Sequence, residues 1–159
     1  MKRLLTVCLL TILAACTVSP SSTTTPAQVS SAPTGVVTGF TGDINAFRAS
    51  QGLGPLQPNA TLTRAAQAHA EDMTQRGYFS HDSVGGPNGD NFKARAQAGG
   101  CAMRAGAENI ATGQRSEAAA FEAWKNSTGH RRNMLGRSYT QYGLGRSGNI
   151  WVLKLSVQC

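Results

Sequence analysis

Three histidines, His69, His81 and His130, and four glutamates, Glu71, Glu108, Glu117 and Glu122, hold most of the acid–base and metal-ligating chemistry of this 159-residue chain. Imidazole changes charge near neutral pH and is a favoured ligand of Zn²⁺, so the surroundings of the histidines decide what chemistry is open. His69 recurs with Leu62, Ala65, Ala66 and Met73 at helical spacing, which marks it as a hydrogen-bonded core histidine before a functional one. His81 follows Tyr78 and Phe79 in a glycine-rich loop, where a plain surface residue and a site residue are equally open readings. His130 follows Gly129 at a helix start beside Arg131 and Arg132, and is open between a solvated or capping residue and a site residue. Glu108, between Gly106 and Asn109 at a strand edge, reads as surface. The chain contains no P-loop, dinucleotide fingerprint, Gly-x-Ser-x-Gly elbow or His-Glu-x-x-His, so the common cofactor classes have no support.

Local spacing does not bring these groups together, so the elements around them must. Asp43-Ile44-Asn45-Ala46-Phe47 reads as a short helix with Ile44 and Phe47 inward, closed by Gly52 and Gly54. A longer helix covers residues 59–76, with Asp72 and Arg76 paired on the side away from its apolar stripe and Gly77 as its stop. Residues 78–89 lack periodicity and form the loop that carries His81. A short helix over residues 91–98 stops at Gly99-Gly100, and Cys101 to Met103 and Ile110 are strand positions around a break at Gly106. Ser116 caps a helix over residues 117–126 with Ala120, Phe121 and Trp124 on one stripe, and Thr128 caps another through Leu135. Trp151, Leu153, Leu155, Val157 and Cys159 alternate with Val152, Lys154, Ser156 and Gln158, and Gly148-Asn149 turns this strand back on residues 139–146. Helices between strands, ending in an antiparallel hairpin, make an α+β layered domain.

Charge and composition add the setting. Only 14% of residues are charged and 40% are apolar, which excludes a charge-rich disordered chain and a membrane bundle. Lys2 and Arg3 precede an apolar run over residues 4–13 that is too short to cross a bilayer, and Leu13-Ala14-Ala15-Cys16 then resembles a bacterial lipobox. The expected organisation is a signal peptide at residues 1–15, a lipidated Cys16 with a Ser/Thr/Pro-rich tether through residue 39, and a folded domain at residues 40–159. Without the signal, 13 basic residues face 8 acidic ones, a net +5 too scattered for a nucleic-acid protein. Two cysteines remain in the domain, Cys101 and Cys159; in an oxidising compartment a disulfide is the simplest reading, with free thiols as the alternative.

Five segments carry a resemblance in order: Ala68-His69-Ala70-Glu71-Asp72-Met73, Gly77-Tyr78-Phe79-Ser80-His81, Glu108-Asn109-Ile110-Ala111-Thr112-Gly113, Ala123-Trp124 through Gly129-His130-Arg131-Arg132-Asn133-Met134-Leu135, and Tyr142-Gly143-Leu144-Gly145. From Asp43 onward the chain resembles the bacterial branch of the CAP superfamily, the SCP-like extracellular domains related to plant pathogenesis-related 1 proteins. The resemblance implies an α-β-α sandwich with a central antiparallel sheet and a cleft lined by two histidines and two glutamates. By motif the cleft positions are His81, Glu108 and His130, with the fourth, a glutamate in the family, falling on Ser127. That departure weakens any mechanism that needs two carboxylates.

The resemblance and the residues together imply a lipid-anchored envelope module that binds a ligand, an apolar small molecule or an anionic envelope polymer. His81 and His130 are the expected ligands of a divalent metal such as Zn²⁺, with Glu108 beside them and Ser127 supporting a bound water. A metal-dependent hydrolase and a purely structural envelope protein are the alternatives. No Asp follows Cys16 at the second position, which by analogy with Gram-negative sorting permits the outer membrane.

Overall fold

A computed structural model describes residues 39–159. The expected signal peptide, the lipidation at Cys16 and the tether up to residue 38 lie outside the described residues. Among the described residues, five helices and four strands follow in the order α1 (Phe40–Ala49), β1 (Gln57–Pro58), α2 (Ala60–Arg76), α3 (Phe92–Ala98), β2 (Gly106–Thr112), α4 (Glu117–Lys125), α5 (Thr128–Met134), β3 (Gln141–Ser147) and β4 (Ile150–Ser156). The sheet order is β1-β3-β4-β2, so β2 is an edge strand and β4 is central. β4 runs antiparallel to both β2 and β3, while β1 adds a two-residue parallel pair to β3, the one departure from the expected antiparallel sheet.

The sheet is covered on both faces. Trp151, Leu153 and Leu155 point to one side and pack with Ile44, Phe47, Phe121, Trp124 and Met134 of α1, α4 and α5. Val152 points to the other and packs with Ala66, Ala70 and Met73 of α2. Hence Lys154 and Ser156, expected on a polar side of the last strand, are buried as fully as their neighbours. α1 begins earlier than Asp43 because Phe40 belongs to the core, edge-on to the rings of Phe121 and Trp124.

Two glycines of β3 decide how closely α2 lies on the sheet. A Cβ on Gly143 would stand 2.2 Å from the backbone of Leu62, and one on Gly145 2.3 Å from the amide of Gln67. The segment Tyr142-Gly143-Leu144-Gly145 is therefore a flat seat for a helix backbone, and any side chain there would lift α2 away. Gly77 closes α2 as expected, in the left-handed region at φ 68°, while Asn59, expected as the first helical residue, is its cap, the side chain accepting from the amides of Thr61 and Leu62.

Cys101 and Cys159 are joined in a disulfide, next to Leu62, Ala96 and Met103. Cys101 to Met103 are not a strand, contrary to expectation; β2 starts only at Gly106. α5 is capped positionally by Ser127 and not Thr128, although the Ser127 side chain makes no capping bond.

Candidate functional site

Glu108 lies in β2 and faces the α2–α3 layer, 7% exposed, so the reading of a surface glutamate is overturned. A lone buried carboxylate is costly, and this one is met from three sides. Its Oε1 accepts from His81 Nδ1 at 3.0 Å and from Arg95 Nη2 at 3.0 Å. Its Oε2 accepts from Lys154 Nζ at 2.5 Å and from Arg95 Nη2 at 3.3 Å. Burial alone would push the carboxyl up; the His81 hydrogen bond and the charges of Lys154 and Arg95 outweigh it and hold the carboxyl down at about 2. Burial also lowers the Lys154 ammonium, and the charge and hydrogen bond of Glu108 oppose that shift.

The loop with His81 is pinned to α2 at two points. His69, fully buried, sits with Nε2 3.1 Å from the Ser80 carbonyl; a carbonyl only accepts, so Nε2 carries the proton. The same atom is 3.8 Å from Glu108 Oε1. Burial, the first cause, takes the His69 pKa down to about 4 and keeps the ring neutral. Asp72, expected on the solvent side, is also buried: it accepts from Tyr78 Oη, from Ser83 Oγ at 2.5 Å and from Arg76 Nη1 at 3.4 Å. Arg95 Nη2 completes the hold on the loop through the His81 carbonyl at 2.6 Å.

His130 comes from the opposite layer. Asn109, next to Glu108, points the other way across β2; its Nδ2 donates to the His130 carbonyl at 3.1 Å, and its Oδ1 accepts from Asn133 Nδ2 at 2.8 Å. Successive residues of an edge strand thus anchor one histidine segment on each face of the sheet. Burial first, and then the nearby charge of His81, lowers the pKa of His130. A cavity of about 340 Å³ opens beside this edge, lined by His81, Asp82, Phe92, Ala107, Glu108 and Asn133.

Of the four expected cleft positions, His81 and Glu108 are in direct contact and His130 lies within electrostatic reach of His81. Ser127 lies at the start of the His130 helix and does not line the cavity. Sequence reasoning missed Arg95, Lys154 and Asn109 and underrated Asp72. The available signal was an Arg one turn after Phe92 in a short helix and a Lys inside an otherwise apolar strand.

The donor set has one clear chemical property. In the neutral ring, donation from His81 Nδ1 to Glu108 leaves Nε2 with a lone pair, and the side chain is 52% exposed. That arrangement suits a metal held by imidazoles with the carboxylate orienting one of them from behind. Glu108 itself does not suit a ligand role, since both oxygens are already taken by cations or by His81. Among the described residues no group of three or more His, Cys, Asp or Glu side chains is arranged to hold a metal ion.

An α-β-α sandwich with a His–Glu pair at the sheet edge defines the class, and comparison with known proteins agrees. The pattern of the CAP family, the cysteine-rich secretory protein family, matches residues 41–151, and the chain belongs to that family. It is 41% identical over 111 residues to the uncharacterized protein YkwD of Bacillus subtilis, covering 67% of this chain and 41% of that one. It is 36% identical over 101 residues to the uncharacterized membrane protein YlbC of the same organism, covering 64% of this chain and 28% of that one. This chain therefore spans less than half the length of either relative. Among solved structures, an extracellular SCP-domain protein of Bacillus anthracis superposes with a TM-score of 0.67 at 30% identity, over 71% of this chain and 37% of that one. An outer surface protein of Borrelia burgdorferi shares the fold at 18% identity and a TM-score of 0.62, over 74% and 88% of the two chains.

Proposed function

We propose that this protein is an extracytoplasmic CAP-domain binding or scaffold module, held at a bacterial envelope by lipid on Cys16, whose cleft binds a ligand and accepts a divalent metal at His81 and His130. The observation that carries the binding reading is the state of Glu108. A general base works best with a pKa near the operating pH, whereas this carboxylate is held at about 2 and already accepts from three side chains. It is built to stay ionised and to orient His81. The extracellular and surface descriptions of the solved relatives and the lipobox-like Leu13-Ala14-Ala15-Cys16 support the location.

One observation favours a second reading. A histidine oriented by a carboxylate, with its outer nitrogen free, is also the arrangement of a general base, so a hydrolase working through His81 Nε2 is the alternative. Immobilised wild type and a His81→Ala/His130→Ala variant, each supplied with Zn²⁺, are incubated with envelope extract, and retained molecules are identified by mass spectrometry. The binding module retains a ligand that the variant loses, and turns over no peptide, ester or glycan. Turnover that disappears in His81→Ala would establish the hydrolase instead. The anchor is tested separately: Cys16→Ser should abolish labelling by a radioactive fatty acid and release the protein from the membrane fraction.

A further inference from the structure

All 8 acidic residues lie at or before Glu122, so residues 123–159 carry basic side chains and no Asp or Glu. Residues 1–38 have no acidic residue either, so no carboxylate side chain outside the described residues can neutralise them. Among the described residues the carboxylates ion-paired to Arg or Lys are Asp72, Glu108 and Glu122, held by Arg76, by Arg95 and Lys154, and by Lys125. Arg131 and Arg132 on α5 and Arg137 just past its end are left without one. Arg132 and Arg137 are exposed, and the Arg131 guanidinium lies 4.6 Å over the Phe47 ring, which engages its flat face and not its N–H edge.

Two neighbours extend the positive field at this place. Arg48, 1% exposed, donates only to the carbonyls of Gly54, Met134, Gly136 and Tyr139, so a buried positive charge with no carboxylate beside it lies at the end of α5. Asn133 of the same helix lines the His81 cavity, which carries the basic surface up to the wall of the cleft. A lone anion met by one exposed guanidinium gains little in water. A chain of anions meets several at once, releases counterions, and places its second and third charges without a new loss of translational freedom. A bilayer fits less well: the exposed large apolar side chains among the described residues are Phe79 and Val84, both on the His81 loop, so α5 has none to bury among headgroups.

We propose that α5 and the turn after it form a docking surface for a linear polymer of repeated phosphate groups, held by Arg131, Arg132 and Arg137. A phosphate offers acceptor oxygens to two guanidinium forks at once, as successive arginines require, whereas a carboxylate is matched by one. This names the ligand class of the binding module proposed above and rests on that reading. The contacts are made by guanidinium groups alone and need no metal.

The test is a fluorescence-anisotropy titration of dye-labelled linear polyphosphate with the full chain, in buffer containing EDTA. Binding should be saturable, and its dissociation constant should rise with salt at a log–log slope of about 2, as three contacts to a flexible strand require. Arg132→Gln/Arg137→Gln, at two exposed positions, should weaken binding by about fivefold or more and leave the thermal midpoint unchanged. Adding Arg131→Gln should weaken it further. Arg64→Gln/Lys93→Gln removes the same charge from exposed positions on α2 and α3 and should change binding by less than about twofold. No saturable binding, equal loss in the α2–α3 variant, or loss of binding in EDTA that Zn²⁺ restores would overturn the proposal. So would equally tight binding to polyglutamate, or tighter binding to vesicles of phosphatidylglycerol, which would make the partner a carboxylate polymer or a membrane. Turnover is read in the separate assay above, so failure of the binding reading and failure of this surface are distinguished.

Discussion

Glu108 and Lys154 are register partners on neighbouring antiparallel strands, and their side chains meet at 2.5 Å on the α2–α3 face of the sheet. Directly opposed residues of β2 and β4 share a face, so the pair is fixed by backbone pairing and not by side-chain flexibility. Arg95 arrives from α3 to complete it, and His81 takes the remaining direction on Oε1. The histidine is oriented by a charge whose own position is set by the sheet.

Removing the shared carboxylate should be far worse than removing the ammonium. Glu108→Gln leaves Arg95 and Lys154 buried without a counter-charge and should cost about 3 to 5 kcal/mol, whereas Lys154→Met leaves Glu108 paired with Arg95 and should cost less. Urea unfolding of the two variants beside wild type measures the difference.

Acid should destabilise the fold in two overlapping steps. His69 is held at about 4 against 6.5 for a free histidine, and Glu108 at about 2 against 4.5 for a free glutamate. In both windows the unfolded chain binds protons that the folded chain refuses, so stability falls as pH drops from about 6.5 to 4 through His69, then from about 4.5 to 2 through Glu108. Urea midpoints at a series of pH values should show both limbs, and His69→Gln should lose the upper one.

The three histidines should separate into site and core. His81→Ala and His130→Ala should each abolish Zn²⁺ binding in titration calorimetry and keep the fold. Glu108→Gln should weaken the metal by about 10- to 100-fold through the lost orientation of His81. His69→Ala should instead lower stability by about 2 to 4 kcal/mol, because it empties a buried site and frees the Ser80 carbonyl. Loss of metal in His69→Ala alone would reverse the assignment.

The seat of α2 should tolerate no added methyl. Gly143→Ala and Gly145→Ala force a Cβ against helix backbone, which cannot rotate away, and should each cost about 1 to 3 kcal/mol or more. Gly129→Ala, where a Cβ meets nothing within 4 Å, is the control and should leave the thermal midpoint nearly unchanged.

Much of this was legible in the chain itself. Gly77 closes α2, Ser116 opens α4, and Gly148-Asn149 turns β3 into β4, because caps and turns are chosen by backbone chemistry within a few residues. The five ordered segments carried the family, and with it the naming of His81 and Glu108 among the cleft positions. The disulfide was readable because only two cysteines, Cys101 and Cys159, fall in the expected folded domain. Periodicity also placed His69, Ala65, Ala66 and Met73 on one buried stripe.

What periodicity could not say was which layer covers each face. Lys154 alternates correctly with its apolar neighbours, yet it is buried because β4 is central and α2 and α3 close over its second side. Asp72 is on the expected helix, but the returning loop brings Tyr78 and Ser83 over it and turns an exposed position into an anchor. Glu108 gains Arg95 from 13 residues before it and Lys154 from 46 after it. Alternation and helical spacing fix which side chains share a face; the charge, burial and proton affinity of those side chains depend on partners that only long-range packing delivers.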